Sequence, residues 1–236
     1  MNEFANSQSC TTPCNIFEAL ESRRSVRAFL PRPVERATVE RILSLASRAP
    51  SGTNTQPWRV WVAAGKARDR LVSRMLAAHQ SKDAKYQPEY QYYPLKWREP
   101  YLSRRRAVGK DLYSLLGIAK GDEAGMQRQF GENYMFFGAP VCIFVGIDRD
   151  MEKGSWLDLG GFVQSILLAT RGFGLHSIPQ AAFSRFHQII REELGIPGEV
   201  VIACGISLGY EDEAAAVNRL VVPREPVSSF AAFRWD

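Results

Sequence analysis

Three arginines fall within five positions near the start of the chain, in Glu21-Ser22-Arg23-Arg24-Ser25-Val26-Arg27. A guanidinium keeps its charge at any physiological pH, and its paired N–H groups match two oxygens of a phosphate or carboxylate. With the hydroxyls of Ser22 and Ser25 interleaved, this stretch carries the donors of a phosphate clamp. The same residues also make a plain solvated basic helix end. A second polar piece follows at Ala49-Pro50-Ser51-Gly52-Thr53-Asn54-Thr55-Gln56-Pro57-Trp58, bracketed by prolines. Its glycine lets a ligand approach the backbone closely, although such residues equally build a helix-to-strand connector. A third piece, Asn218-Arg219 and then Pro223-Arg224-Glu225-Pro226, lies near the other end.

Other chemistries lack their signatures. No glycine-rich dinucleotide fingerprint follows a strand, and no phosphate loop ends in Gly-Lys-Ser/Thr. No serine sits in a nucleophile elbow. The histidines, His79, His176 and His187, show no metal-ligand spacing with a cysteine. Cys142 and Cys204 lie in apolar runs and read as buried thiols. Cys10 and Cys14 flank Thr-Thr-Pro in a tail at 1–14 that reads as mobile, so neither a metal site nor a disulfide framework is expected. A chain without an evident nucleophile, base or metal is still an enzyme if a bound cofactor carries the chemistry.

The elements that must position these pieces belong to an ordinary globular protein. The chain has 236 residues, 45% hydrophobic and 23% charged, enough for one substantial core. Its net charge of +5 favours anionic small molecules or a mild nucleic-acid affinity. No apolar stretch reaches bilayer length, and residues 1–13 lack a basic-then-apolar signal pattern, so no membrane association and a cytoplasmic protein are expected.

A short helical face at 16–20 leads into the arginines. Thr38 is expected to cap a helix ending before Ala49-Pro50. Residues 58–62 read as a strand and 67–78 as a helix. Helical patterns return at 104–116 and 123–137. The continuous apolar run at 141–147 predicts a strand buried on both faces. Residues 156–170 are apolar almost all round, as in a helix buried in a core or a subunit interface, with Gly172 as its C-cap. Strands are expected at 175–179 and 200–206, with a helix at 186–194 between them. The alternation predicts an α+β or α/β chain, with helices packed on a central sheet. Between two helices, residues 80–103 hold Tyr86, Tyr90, Tyr92, Tyr93, Trp97 and Tyr101 among Pro88, Pro94 and Pro100. That aromatic load argues against disorder, and a loop of this length is commonly functional.

The arginine stretch, the Pro50 loop and the C-terminal Arg224 together resemble the FMN-dependent nitroreductase family, from about residue 16 to the C-terminus. The resemblance implies one α+β domain over 15–236, with the aromatic insertion at 80–103 and a C-terminal extension at 210–236. It further implies a central, mostly antiparallel sheet flanked by helices, in an intertwined homodimer with FMN at the subunit interface. By that resemblance Arg23, Arg24, Ser25 and Arg27 hold the phosphate, ribityl chain and pyrimidine edge of FMN. Pro50, Ser51, Gly52 and Asn54 lie along its ring, and Asn133 supplies a further polar contact. The segment with Pro179, Gln180 and Ala181 passes the reactive nitrogen with a backbone amide, and Arg224 binds phosphate. NAD(P)H is then the electron donor and a nitroaromatic or quinone the acceptor, in a ping-pong cycle. Tyr86, Tyr90, Tyr92, Tyr93 and Trp97 are expected to wall the acceptor pocket, since rings stack on flat acceptors; packing of the loop onto the protein is the other use for them. Reductive dehalogenation on the same scaffold is the competing enzyme reading. From another class, Arg98, Arg104, Arg105, Arg106 and Lys110 with the tyrosines would make a nucleic-acid face, but no nucleic-acid partner is expected.

Overall fold

The apolar run at 141–147 forms the middle of a sheet, as its composition requires. In the computed structural model, which describes residues 15–235, the strands are β1 (Trp58–Ala64), β2 (Val141–Asp148), β3 (His176–Gln180) and β4 (Val200–Gly209). Their order is β1-β2-β4-β3 and every pairing is antiparallel. The helices are α1 (Ile16–Ser22), α2 (Arg36–Ala46), α3 (Gly65–Ser81), α4 (Tyr101–Leu115), α5 (Glu123–Gly131), α6 (Lys153–Gly172) and α7 (His187–Leu194). The tail at 1–14, with Cys10 and Cys14, lies outside the described residues.

Successive side chains of a strand point to opposite faces, and β2 uses both. Cys142 and Phe144 join a core with α3 and α7, while Val141, Ile143, Val145 and Ile147 join a second core with α2 and α6. Gly205 on β4 fixes what packs next to it: a Cβ there would stand 2.3 Å from the Phe183 ring. Only glycine lets Phe183 lie against the sheet, and Phe183 sets the course of the chain after β3.

Three helices differ from their sequence patterns. α2 begins at Arg36 with Glu35 as N-cap residue, not at a Thr38 cap, and Arg36 pairs with Glu40 at 2.7 Å in its first turn. The pattern at 123–137 breaks at Gly131 into a 3-10 segment, Glu132–Gly138, where Phe136 and Phe137 take left-handed φ values of 56° and 54°. The break turns Tyr134, Phe136 and Phe137 into the core, where all three are buried. The chain's own core covers α6 on one side only: Leu159, Phe162, Ile166 and Leu167 are buried, but Leu157 is 79% exposed. The helix also runs through Gly172, and the left-handed glycine that follows is Gly174, at φ 67°.

The arginine stretch starts where α1 stops. Asn15 caps α1 with a reciprocal bond from Glu18, the capping-box arrangement. Arg23 then goes extended, and Ser25 forms a parallel bridge to Ser177 of β3, so residues after it run along the sheet edge. Phe29 makes an antiparallel bridge to Glu211 in the segment that follows β4.

Candidate active site

Where the arginine stretch, the end of β3 and the aromatic segment meet, they enclose a cavity of about 550 Å³. Arg27, Asn133, Pro179, Gln180 and Ala181 line it, and so do Tyr90, Tyr92 and Tyr93. Tyr113, Phe130, Tyr134, Phe137 and Arg185 complete much of the wall.

Hydrogen bonds hold Arg27, Asn133 and Gln180 in place. The Arg27 N–H donates to Asn218 Oδ1 at 2.7 Å, and its Nη1 donates to the Ser25 carbonyl at 3.2 Å. No carboxylate pairs with Arg27 among the described residues, and burial lowers its proton affinity. Gln180 is buried, and its amide donates to the Asn133 carbonyl at 3.1 Å and to Asn133 Oδ1 at 3.2 Å. Ser207 Oγ donates in turn to Gln180 Oε1. The Gln180 side chain therefore braces the floor, leaving the backbone of 180–182 to meet a ligand.

The aromatic segment is bolted down by one acid. Glu89, nearly sealed from solvent, pairs with Arg149 at 2.6 Å and Arg191 at 2.9 Å and accepts the Ile202 N–H at 3.1 Å. The next residue, Tyr90, donates its hydroxyl to the Ala203 carbonyl, and burial raises its pKa. Tyr92 and Tyr93 meet edge-on at 4.7 Å. Two rings of the expected wall lie elsewhere. Tyr86 packs edge-on against Phe186 at 5.2 Å, and Trp97 sits 5.4 Å from Tyr93 under the Arg105 guanidinium. Arg104 is paired with Glu225 at 3.0 Å.

Arg23 and Arg224 lie outside the cavity lining but beside one another. Burial lowers the proton affinity of Arg23, and the Arg224 charge lowers it further. Arg224 donates only to the Val222 and Pro223 carbonyls, while its neighbour Glu225 turns to Arg104. The two like charges thus act on one another, and neither is in a salt bridge among the described residues. Arg24 is used differently: it pairs with the buried Glu211 at 2.6 Å and donates to the Asn218 carbonyl. Ser25 provides the bridge to β3, and Arg219 is exposed. The Pro50 loop stays away from the cavity. Ser51 Oγ accepts the Gln56 N–H at 2.9 Å, the Gly52 N–H donates to Asp158 on α6 at 3.1 Å, and Asn54 takes φ 61°.

Sequence reasoning missed Tyr113, Phe130, Tyr134 and Arg185. The first three look like ordinary core residues at helical spacing, and Arg185 like one more surface base. Among the described residues no group of His, Cys, Asp or Glu could hold a metal, and no helix is long and apolar enough to cross a membrane.

An aromatic cavity edged by the unpaired Arg27, with Arg23 of the same stretch interacting with Arg224 from the C-terminal segment, suits a flat, phosphate-bearing ligand. The chain belongs to the nitroreductase family, whose model matches residues 20–210. It is 41% identical to 4-nitrobenzoate reductase of Pseudomonas putida, over 90% of this chain and 92% of that one. It is 36% identical to chloronitrobenzene nitroreductase of Comamonas testosteroni, over 92% of this chain and 96% of that one. Among solved structures, the FMN and NADPH-dependent nitroreductase NfnB from Sphigopyxis sp. strain HMH superimposes with a TM-score of 0.89 at 41% identity, covering 94% of this chain and 100% of that one.

Proposed function

We propose that this protein is an FMN-dependent NAD(P)H nitroreductase that reduces nitroaromatic or quinone acceptors. The observation that carries the reading is the Arg23–Arg224 pair: a half-buried and an exposed cation close enough for their charges to interact, with neither in a salt bridge among the described residues. Like charges held together in this way are costly unless an anion joins them, and a phosphate dianion suits both forks. The donor set therefore fits FMN. Arg23 and Arg224 would hold its phosphate, and Arg27, Asn133 and the backbone of 179–181 its ring. Bound there, FMN supplies hydride transfer, taking electrons from NAD(P)H and passing them to a flat acceptor in alternation.

The chain's own residues bind, orient and keep out water. Tyr90, Tyr92, Tyr93 and Phe130 line the cavity and would pack against an acceptor. Arg27 keeps a positive charge at the cavity wall, where burial strengthens its field. Asn133, Gln180 and Ser207 brace the β3 end that the ring would cross.

The proposal extends to a cytoplasmic homodimer in which residues 15–236 form one FMN-binding domain per chain. Supporting this are the Pro50 loop, which does not reach the cavity of its own chain, and a set of exposed apolar side chains. Phe17 is 73% exposed, and Leu157, Phe230 and Trp235 are exposed too. In a dimer, Pro50, Ser51, Gly52 and Asn54 would serve the partner's cofactor.

The test is anaerobic. The purified protein is expected to be yellow, to bleach on adding NADPH, and to recover its colour on adding nitrobenzene. A colourless protein that takes up no FMN, or a flavin that NADPH leaves oxidised, overturns the reading.

A further inference from the structure

Two charged side chains line the cavity, and both are arginines: Arg27 and Arg185. The flavin reading uses Arg27 and leaves Arg185 unexplained. Arg185 sits on the 3-10 turn Ala182–Phe186 after β3, between the buried Phe183 and Phe186. Its stem is held in the protein, since Nε is sealed from solvent with no hydrogen-bond partner. Its guanidinium carbon stands 6.0 Å from the Phe186 ring centre. No acceptor or carboxylate meets any of its nitrogens among the described residues. Other partly buried arginines are served: Arg68 by the Ala139 and Met135 carbonyls, Arg171 by Leu175, and Arg191 by Glu89. A half-buried guanidinium without a counter-charge is unfavourable. Among the described residues the cavity it faces is lined by no Asp or Glu, and the other charged side chain is an arginine.

We propose that Arg185 binds a carboxylate on the acceptor, so that the preferred substrates are nitroarenes bearing a ring carboxylate and not neutral ones. This rests on the nitroreductase reading above, and it decides a point that the relatives' names leave divided. With Nε buried, the two Nη groups remain for the ligand, and a guanidinium edge takes two carboxylate oxygens in parallel bonds. Such a contact fixes the ring in its plane against Tyr92, Tyr93 and Phe130, orienting the nitro group as well as adding affinity.

The test compares wild type with Arg185→Gln and Arg185→Lys as FMN-loaded proteins. One readout is the ratio of kcat/KM for 4-nitrobenzoate to that for nitrobenzene. The other is calorimetric binding of benzoate and of its neutral analogue benzamide. The ratio and the benzoate affinity are expected to fall about tenfold to a hundredfold in Arg185→Gln, with partial recovery in Arg185→Lys and no matching loss for benzamide. An unchanged ratio with benzoate binding intact overturns the proposal and leaves the nitroreductase reading standing. So does a loss confined to flavin occupancy or to reduction by NADPH, which would give Arg185 to the cofactor or the nucleotide. If no nitroarene is reduced at all, yet benzoate binds and Arg185→Gln abolishes that binding, the carboxylate site stands and the nitroreductase reading falls. Should Arg185→Gln not fold, wild-type protein decides: equal affinity for benzoate and benzamide overturns the proposal.

Discussion

Asn218 Oδ1 accepts the backbone N–H of Arg27 at 2.7 Å, across a sequence separation of 191 residues. The Asn218 amide also donates to the Ala28 carbonyl at 2.8 Å and the Asp212 carbonyl at 2.9 Å, and its own carbonyl takes Arg24. One buried side chain from the C-terminal segment thus sets the course of the arginine stretch.

Asn218→Ala removes that clasp and leaves the Arg27 N–H unpaired. The cost of orphaning such a group is about 1–3 kcal/mol, read as a lowered urea midpoint. FMN affinity should fall with it, because Arg23 and Arg27 sit on the released stretch. An unaltered midpoint and unaltered FMN titration would show that the stretch holds its course without Asn218.

Glu89 does for the aromatic segment what Asn218 does for the arginines. Glu89→Gln keeps the shape but strips the charge from between Arg149 and Arg191. Breaking a buried pair costs about 3–5 kcal/mol. The lower end is expected, since Arg191 keeps the Val200 carbonyl at 2.8 Å. Acceptor KM should rise while flavin content holds. If instead FMN is lost and acceptor KM is unchanged, the segment supports the cofactor and not the acceptor pocket.

His176 gives stability a pH dependence of fixed sign. Burial first, then the charges of Arg171 and Arg24, push its pKa down from 6.5 to about 4. Arg171 Nη1 stands 2.7 Å from its Nε2, the arrangement of a neutral ring accepting a hydrogen bond. Between those pH values the unfolded chain binds more protons, so stability is full above about 6.5 and falls with acid toward 4. Glu211, whose Oε2 is 3.1 Å from Nε2, has its carboxyl raised by burial and contributes with the opposite sign. His176→Asn should flatten the acid slope in melting temperature over this window. The same slope in the variant would assign it to other groups.

The parts of this molecule that follow local rules were legible in its residues. Seven successive apolar residues at 141–147 cannot be half-exposed, so β2 had to be covered on both faces. The arginine stretch on its own suited either an anion site or a solvated basic helix end, and only its company with the Pro50 loop and Arg224 favoured the first. Spacing, however, could not separate Arg23, beside Arg224, from Arg24, whose charge goes to a carboxylate 187 positions away. Tyr86 and Trp97 are aromatic like Tyr90 and Tyr93 but do not line the cavity: Tyr86 packs on Phe186 and Trp97 on Tyr93. Nothing in Tyr134-Met135-Phe136-Phe137 marks two left-handed residues. The core those rings fill, with the Phe29 N–H on the Phe137 carbonyl and Arg68 on the Met135 and Ala139 carbonyls, offsets a cost of about 1–3 kcal/mol for each strained residue.

The account turns on Arg23 and Arg224 holding the phosphate of FMN, and riboflavin, which lacks that phosphate, isolates the contact. Affinities of FMN and riboflavin are to be measured side by side for wild type, Arg23→Ala and Arg224→Ala. Loss of one charge-assisted partner is worth about 1.5–3 kcal/mol, or roughly tenfold to a hundredfold. Each variant should weaken FMN by that factor and leave riboflavin nearly unmoved, so that the preference for FMN collapses. Variants that keep the full wild-type preference for FMN over riboflavin would contradict the account.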